Sequence, residues 1–282
     1  MSDNHDLFEY KGCNFISNIH TTEYLEELIN TEIRDDDVIA VTYPKSGTVW
    51  MQQILTLIFS NGDLAAVQNK LPAERVPWVE VPTLCFLTLP SPRLAVSHLP
   101  YHLSPEGLKK TGKVIYIYRN PKDVVVSLYH FQNYITLLKT PSGFGEFLEM
   151  FIEGKVIYGS WFDHVQNWYA HRNEFNILFM CYEEMKLDLR TSVQKICKFL
   201  GKELDDEKLD TIVKHCTFEI MKVNPMANYE NVESKSENGA FLRKGIIGDW
   251  KTHFTVAQSE MFDKLFEERM KDFPLKFIWD GK

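Results

Sequence analysis

The hydrophobic positions of this chain fall into two kinds of run that alternate. Four short runs are apolar almost without a break: residues 37–43 (DVIAVTY), 93–97 (RLAVS), 113–118 (KVIYIY) and 176–182 (NILFMCY). Each is bounded by a turn signal or leads into a helical pattern, and Arg34-Asp35-Asp36 precedes the first. A strand covered on both faces reads this way, because neither of its two sets of alternating side chains meets water. The longer runs have helical spacing. Residues 48–59 (TVWMQQILTLIF) are apolar on most sides and predict a buried helix. Residues 123–134 follow Asn120-Pro121, an N-cap residue with proline at the first helical position. Residues 191–200 and 207–215 predict amphipathic helices. Strands alternating with helices predict an α/β fold, a single domain over residues 1–282 with a mainly parallel central sheet flanked by helices. Residues 224–238 are polar with few apolar anchors, and a long mobile loop is expected there, within about 224–240.

Composition narrows this little. Of 282 residues, 44% are hydrophobic and 25% charged, ordinary for a globular chain long enough to bury a sizeable core. A net charge of −8 argues against a general nucleic-acid binder, while leaving room for a local basic pocket among the 31 Lys and Arg. The five cysteines (Cys13, Cys85, Cys181, Cys197, Cys216) are odd in number and form no C-x-x-C pair, so a disulfide framework and a zinc site are not expected. The polar, acidic N-terminus lacks a signal-peptide pattern, and no apolar run approaches the ~18 residues of a membrane span. A cytoplasmic protein is expected.

The segment Tyr43-Pro44-Lys45-Ser46-Gly47-Thr48 joins the first strand to the buried helix. Backbone N–H groups at a helix N-terminus attract anions. Gly47 permits close approach, Ser46 and Thr48 offer hydroxyls, and Lys45 brings a full charge. A plain turn with a surface lysine is the competing reading. The order of residues departs from the triphosphate motif G-x-x-x-x-G-K-[ST], since the lysine precedes the glycine and a first glycine is missing. That weakens a kinase or ATPase reading.

Residues 42–50 resemble the 5′-phosphosulfate loop of the cytosolic sulfotransferases, whose donor is 3′-phosphoadenosine 5′-phosphosulfate (PAPS) and whose nucleotide product is the 3′,5′-bisphosphate (PAP). Two further segments carry the resemblance. Residues 118–127 (YRNPKDVVVS) resemble the family's 3′-phosphate segment, which implies that Arg119 and Ser127 hold that phosphate. Arginine suits the task through its planar fork and permanent charge; without the family, an ion-pair arginine and a helix-surface serine fit equally. Phe241-Leu242-Arg243-Lys244-Gly245 resembles the segment that closes over the nucleotide. The resemblance also implies adenine contacts at Trp50 and Phe218, with Tyr182, Val49, Cys216 and Thr217 in the nucleotide-binding stretches, although Trp50 reads equally as core. It covers roughly residues 32–279, with a P-loop-like nucleotide-binding core, and is nearest the steroid, alcohol and amine branches.

Sulfonate transfer asks for a base on the acceptor and a cation beside the leaving phosphate, and this scheme requires no metal. A histidine of ordinary pKa near 6.5 suits the first task and a lysine the second. The resemblance implies His98, in Ser97-His98-Leu99-Pro100, as the general base, and Lys45 as the stabiliser; a structural histidine is the alternative, and His102 and His130 are rivals by position. Trp78, His98, Phe131 and Ile135 are expected at the acceptor, with core packing an even alternative for Phe131. The acceptor is expected to be a lipophilic amine, steroid, alcohol or phenol. Three departures stand out: Val49 replaces a common threonine, Val96-Ser97 replaces a common Lys-Thr, and Cys216 replaces a common threonine. Lys251, Thr255, Val256 and Glu260 match the family's dimerisation motif K-x-x-x-T-V-x-x-x-E, which implies a homodimer. A nucleotide kinase-like enzyme and a binding protein with a decayed site are the competing classes.

Overall fold

The computed structural model of the chain describes residues 7–84, 86–235 and 239–281; Cys85 and residues 236–238 of the expected loop lie outside them. Two strands, β1 (Leu7–Tyr10) and β2 (Cys13–Ile16), form an antiparallel hairpin, and four more, β3 (Val38–Thr42), β4 (Leu94–Ser97), β5 (Lys113–Tyr118) and β6 (Ile177–Cys181), form a parallel sheet in the order β4-β3-β5-β6. These four are the apolar runs of the sequence.

Alternation along the strands explains why they are apolar throughout. Ile39 and Val41 of β3, with Val114 and Tyr116 of β5, enter one core cluster. Val38 and Ala40, with Ile115 and Ile117, enter another. The sheet therefore has no wet face, as parallel strands with helices on both sides require. The helices are α1 (Thr22–Ile29), α2 (Thr48–Phe59), α3 (Pro72–Arg75), α4 (Pro121–Tyr134), α5 (Phe144–Ile152), α6 (Trp161–Ala170), α7 (Tyr182–Leu187), α8 (Leu189–Leu200), α9 (Asp206–His215), α10 (Phe218–Lys222) and α11 (Val256–Arg269).

Helix α2 buries ten of its twelve residues, as its all-round apolarity predicts. Helix α4 begins at Pro121, with the Asn120 side chain accepting from the Asp123 N–H at 2.8 Å; this N-cap supplies one of the partners that a helix start lacks. The hairpin and α1, α5, α6 and α7 were not anticipated. Four-residue strands give too short an alternation to stand out, and the turn between β1 and β2 rests on positive φ at Lys11 and Gly12. In the segment expected to have few apolar anchors, Ala227 and Tyr229 are buried, and Ser234 bridges to Ile135. Two anchors spaced irregularly leave no periodic trace in a sequence. Among the described residues, no helix is long and apolar enough to cross a membrane.

Candidate functional site

The carboxyl ends of β3, β4 and β5 meet at one edge of the sheet, where open α/β folds place their ligand crevices. Lys45, His98 and Arg119 leave from those three ends. They line one cavity of about 400 Å³.

The turn after β3 is compact because Lys45 and Gly47 both take positive φ, at 67° and 111°. A side chain at position 47 would also crowd Tyr182, whose Cδ2 lies 3.1 Å from an added Cβ. Gly47 caps α2 without a side-chain hydrogen bond, so the first N–H groups of the helix remain for an anion. The Ser46 hydroxyl is buried and unpartnered, and so is Arg119 Nε. Buried donors are nearly always paired, so an orphaned arginine Nε in the wall of the cavity fits a bound phosphate group. Arg119 Nη1 donates to the Lys45 carbonyl at 2.9 Å, and its guanidinium lies 4.3 Å from the Tyr182 ring centroid. The arginine thus braces the turn while keeping part of its fork free.

Lys45 is held between two rings, its Nζ 4.5 Å from the centroid of Phe131 and 4.2 Å from that of Phe241. Burial, followed by the charges of Arg119 and Arg243, pushes its pKa down to about 7. Nearby, Arg243 pairs with Asp249, and Lys244 reaches the same carboxylate at 2.7 Å. Burial alone would push Asp249 up, but its bonds from Lys244 and Arg243 prevail and hold it below the usual carboxylate range. Gly245 has φ of 62°, and a methyl group there would collide with the ring of Phe218. Phe218 consequently lies flush on this segment and lines the cavity beside Trp50. Trp50 Nε1 donates to the Cys216 carbonyl at 2.7 Å.

His98 sits where β4 ends. Its Nδ1 is 2.8 Å from the Thr42 carbonyl, which can only accept, so Nδ1 carries the proton. The other ring nitrogen, Nε2, has no partner among the described residues and is free to accept a proton from the cavity. Burial pushes the histidine down to about 4, against a raising contribution from the Thr42 bond. The ring packs against Tyr158, with centroids 5.0 Å apart, and Trp78 at 6.3 Å. Its main chain is tied on both sides: the N–H donates to Glu80 Oε1 at 2.8 Å, and the carbonyl accepts from His164 Nε2 at 3.1 Å.

Of the residues singled out from the sequence, Lys45, Gly47, Thr48, Val49, Trp50, Trp78, His98, Arg119, Ser127, Phe131, Ile135, Tyr182, Phe218 and residues 241–245 line the cavity. Ser46, Cys216 and Thr217 do not. Ser46 is fully buried, and Cys216 meets the site only through its carbonyl on Trp50. Of the rivals to His98, His130 lines the cavity, but its Nε2 is bonded to His253 Nε2 at 2.8 Å; His102 bonds the Lys11 carbonyl outside it. The departures have local explanations. Val49 is packed with Met221 and Tyr229 in a small apolar cluster, and the Ser97 hydroxyl accepts from the Leu99 N–H at 3.0 Å. Sequence reasoning missed Ile16 at the end of β2, His20 after the hairpin, Tyr158 and Tyr229, all in the cavity wall. For Tyr158 the one local signal is the Tyr-Gly pair, both at positive φ.

A family model described as a sulfotransferase domain matches residues 35–274. Rabbit (Oryctolagus cuniculus) amine sulfotransferase is 52% identical, over 97% of this chain and 94% of its own length. Human sulfotransferase 2A1 is 45% identical over 99% and 100%. Among solved structures, a mouse sulfotransferase complexed with PAP superposes with a TM-score of 0.81 at 34% identity, covering 95% of each chain. Retinol dehydratase in complex with retinol and PAP gives 0.83 at 26% identity, over 91% and 88%. With the match spanning most of the chain and a fold in common, this protein belongs to the sulfotransferase family.

Proposed function

We propose that this chain transfers a sulfonate group from PAPS to a hydroxyl or amino group of a small lipophilic acceptor, with His98 as general base and Lys45 stabilising the leaving phosphate. The observation that carries this reading is the tautomer of His98. Its Nδ1 proton is committed to Thr42, and its bare Nε2 lies in the wall of a cavity that also holds Lys45. The acceptor O–H or N–H gives its proton to Nε2 as the new bond to sulfur forms. The bond from sulfur to the phosphate oxygen breaks, and the charge left on that oxygen faces Lys45. A positioned base and a preorganised cation are the two aids this reaction needs.

The nucleotide fits what lines the basic part of the cavity. The helix N-terminus with Thr48 suits the 5′-phosphate, and Arg119, Ser127, Arg243 and Lys244 suit the 3′-phosphate. Trp50 and Phe218 offer faces for the adenine, and PAP is what the neighbouring structures contain. Elsewhere the wall is apolar, with Ile16, Trp78, Phe131, Ile135 and Tyr229, and no Asp or Glu lines it among the described residues. That suits uncharged acceptors such as a steroid, alcohol, phenol or free-base amine, and the relatives are named for amines and hydroxysteroids. We carry the homodimer as part of the same reading: Val256, within the segment that resembles the family's dimerisation motif, is exposed and so accessible to a second copy.

The test is transfer of labelled sulfonate from PAPS to a phenol, a sterol, an aliphatic alcohol and an aromatic amine, without added metal. Turnover with at least one is expected. Tight PAP binding with no turnover on any acceptor would turn the reading into that of a nucleotide-binding protein.

A further inference from the structure

Beneath His98 lies a chain of buried polar groups that none of the site assignments uses. Glu80, fully buried, accepts the His98 N–H on Oε1. The same oxygen is 3.2 Å from the Tyr158 hydroxyl, which is 3.0 Å from His20 Nε2. His20 Nδ1 is 3.2 Å from the Ile16 carbonyl. His20 and Tyr158 both line the cavity.

The Ile16 carbonyl can only accept, so His20 Nδ1 carries a proton. With a neutral His20, Nε2 is an acceptor, and an ionised Glu80 is an acceptor too. Between them stands Tyr158 with a single hydroxyl proton, which can serve one neighbour but not both. One added proton completes the chain: either Glu80 is protonated and donates to Tyr158, which donates to His20, or His20 is protonated and the direction reverses.

We propose that Tyr158 and His20 are positioning residues for His98: together with Glu80 they hold one exchangeable proton in a buried hydrogen-bonded chain, and its departure places a carboxylate charge beneath the base. The proposal rests on the reading of His98 as general base. An imidazolium forms at His98 as the acceptor loses its proton, and a carboxylate one hydrogen bond away stabilises it. Burial favours the arrangement with both ends uncharged, pushing His20 down to about 4 and Glu80 up to about 7. The proton therefore rests on Glu80 in acid and leaves near neutrality.

Burial pushes Cys13 of β2 to about 12 and holds Tyr158 well above the usual phenol range, so both stay neutral. His164 of α6 is pushed by burial to about 3 and is also neutral. Ser97 contributes a hydroxyl next to Glu80 and no charge. Lys45 titrates near the same pH, so the measurement is made with saturating PAPS, whose negative charge keeps the lysine protonated.

The experiment is the pH profile, from 6 to 9, of kcat/KM for the acceptor. In the unaltered enzyme it rises through about pH 7 as Glu80 ionises. Tyr158→Phe keeps the ring but removes the donor to the carboxylate, and should move the rise upward by about 1–2 pH units, the size expected of one hydrogen bond to an ionised group. His20→Phe removes the competing acceptor, leaves the hydroxyl wholly to Glu80, and should move the rise downward. Glu80→Gln should abolish the rise, and serves as the deciding variant if His20→Phe does not fold, as judged by PAP affinity. Unchanged profiles, or shifts in the same direction for both aromatic substitutions, would overturn the proposal. His98→Ala separates the two readings: if it is inactive while the relay variants keep the parental profile, only the relay falls; if it stays active, both fall.

Discussion

Replacing Lys45 with methionine should remove a proton that the site takes up when it binds PAP. The lysine is placed between Phe131 and Phe241, with Arg119 and Arg243 near enough to repel it, and its pKa falls to about 7. A lysine held there is roughly half deprotonated at pH 7 and about three-quarters deprotonated at pH 7.5. An anionic phosphate beside it restores the preference for the charged form. Binding of PAP should therefore draw in about 0.75 proton at pH 7.5, falling toward zero at pH 6. The same linkage weakens PAP binding about tenfold between pH 6 and pH 8. Titration calorimetry in buffers of different ionisation enthalpy reads the uptake directly. The phosphates of PAP titrate near pH 6 and add a term of their own, so the quantity that counts is the difference between the parent and Lys45→Met. If the two took up the same number of protons at pH 7.5, Lys45 would not be the depressed cation at the phosphate, and the electrostatic account of the turn would fail.

Three further outcomes follow from the geometry. His98→Ala should lower turnover by about 10²–10⁴-fold, the usual worth of a general base, with PAP affinity unchanged in equilibrium binding. Gly245→Ala combines a φ of 62° with a collision against Phe218; it should displace the segment from Phe218, weaken PAP binding at least about fivefold, and lower the urea midpoint as ~1 kcal/mol of backbone strain in the fold implies. Acid should destabilise the fold between about pH 6.5 and 4. His20, His98 and His164 are held neutral by burial at about 4, 4 and 3, so the unfolded chain binds protons first as pH falls from 6.5. Glu80, raised by burial to about 7, takes its proton in the fold first and offsets about one of the three; the net loss through that window is what urea unfolding at stepped pH measures.

Much of this architecture was legible before the structure. The four sheet strands and helices α2, α4, α8 and α9 follow from runs whose apolar spacing had to match a sheet covered on both faces. Asn120-Pro121 marked the start of α4 because capping is a local matter. Lys45, His98 and Arg119 were singled out chiefly by the resemblance of their segments to the sulfotransferases; each lies next to a strand end, and parallel strands bring those ends to one cavity. The cavity wall contributed by Ile16, His20, Tyr158 and Tyr229 was not. These residues come from a four-residue hairpin strand and from loops, and neither has a period to read.

What the sequence by itself determined is therefore the α/β layering and the chemistry on offer: a lysine-bearing turn at a helix N-terminus, an arginine one strand away, a histidine after another. Local propensity and burial suffice for that, since they act over a few neighbouring residues. Only the tertiary structure decided the state of those groups. Residues 42 and 98 meet because β3 and β4 pair in parallel, and that contact chooses which nitrogen of His98 is bare. Lys45 loses much of its basicity because Phe131, Phe241, Arg119 and Arg243 converge on it from separate stretches of chain. Protonation responds to charge and desolvation through space, and distance along the chain carries no record of either.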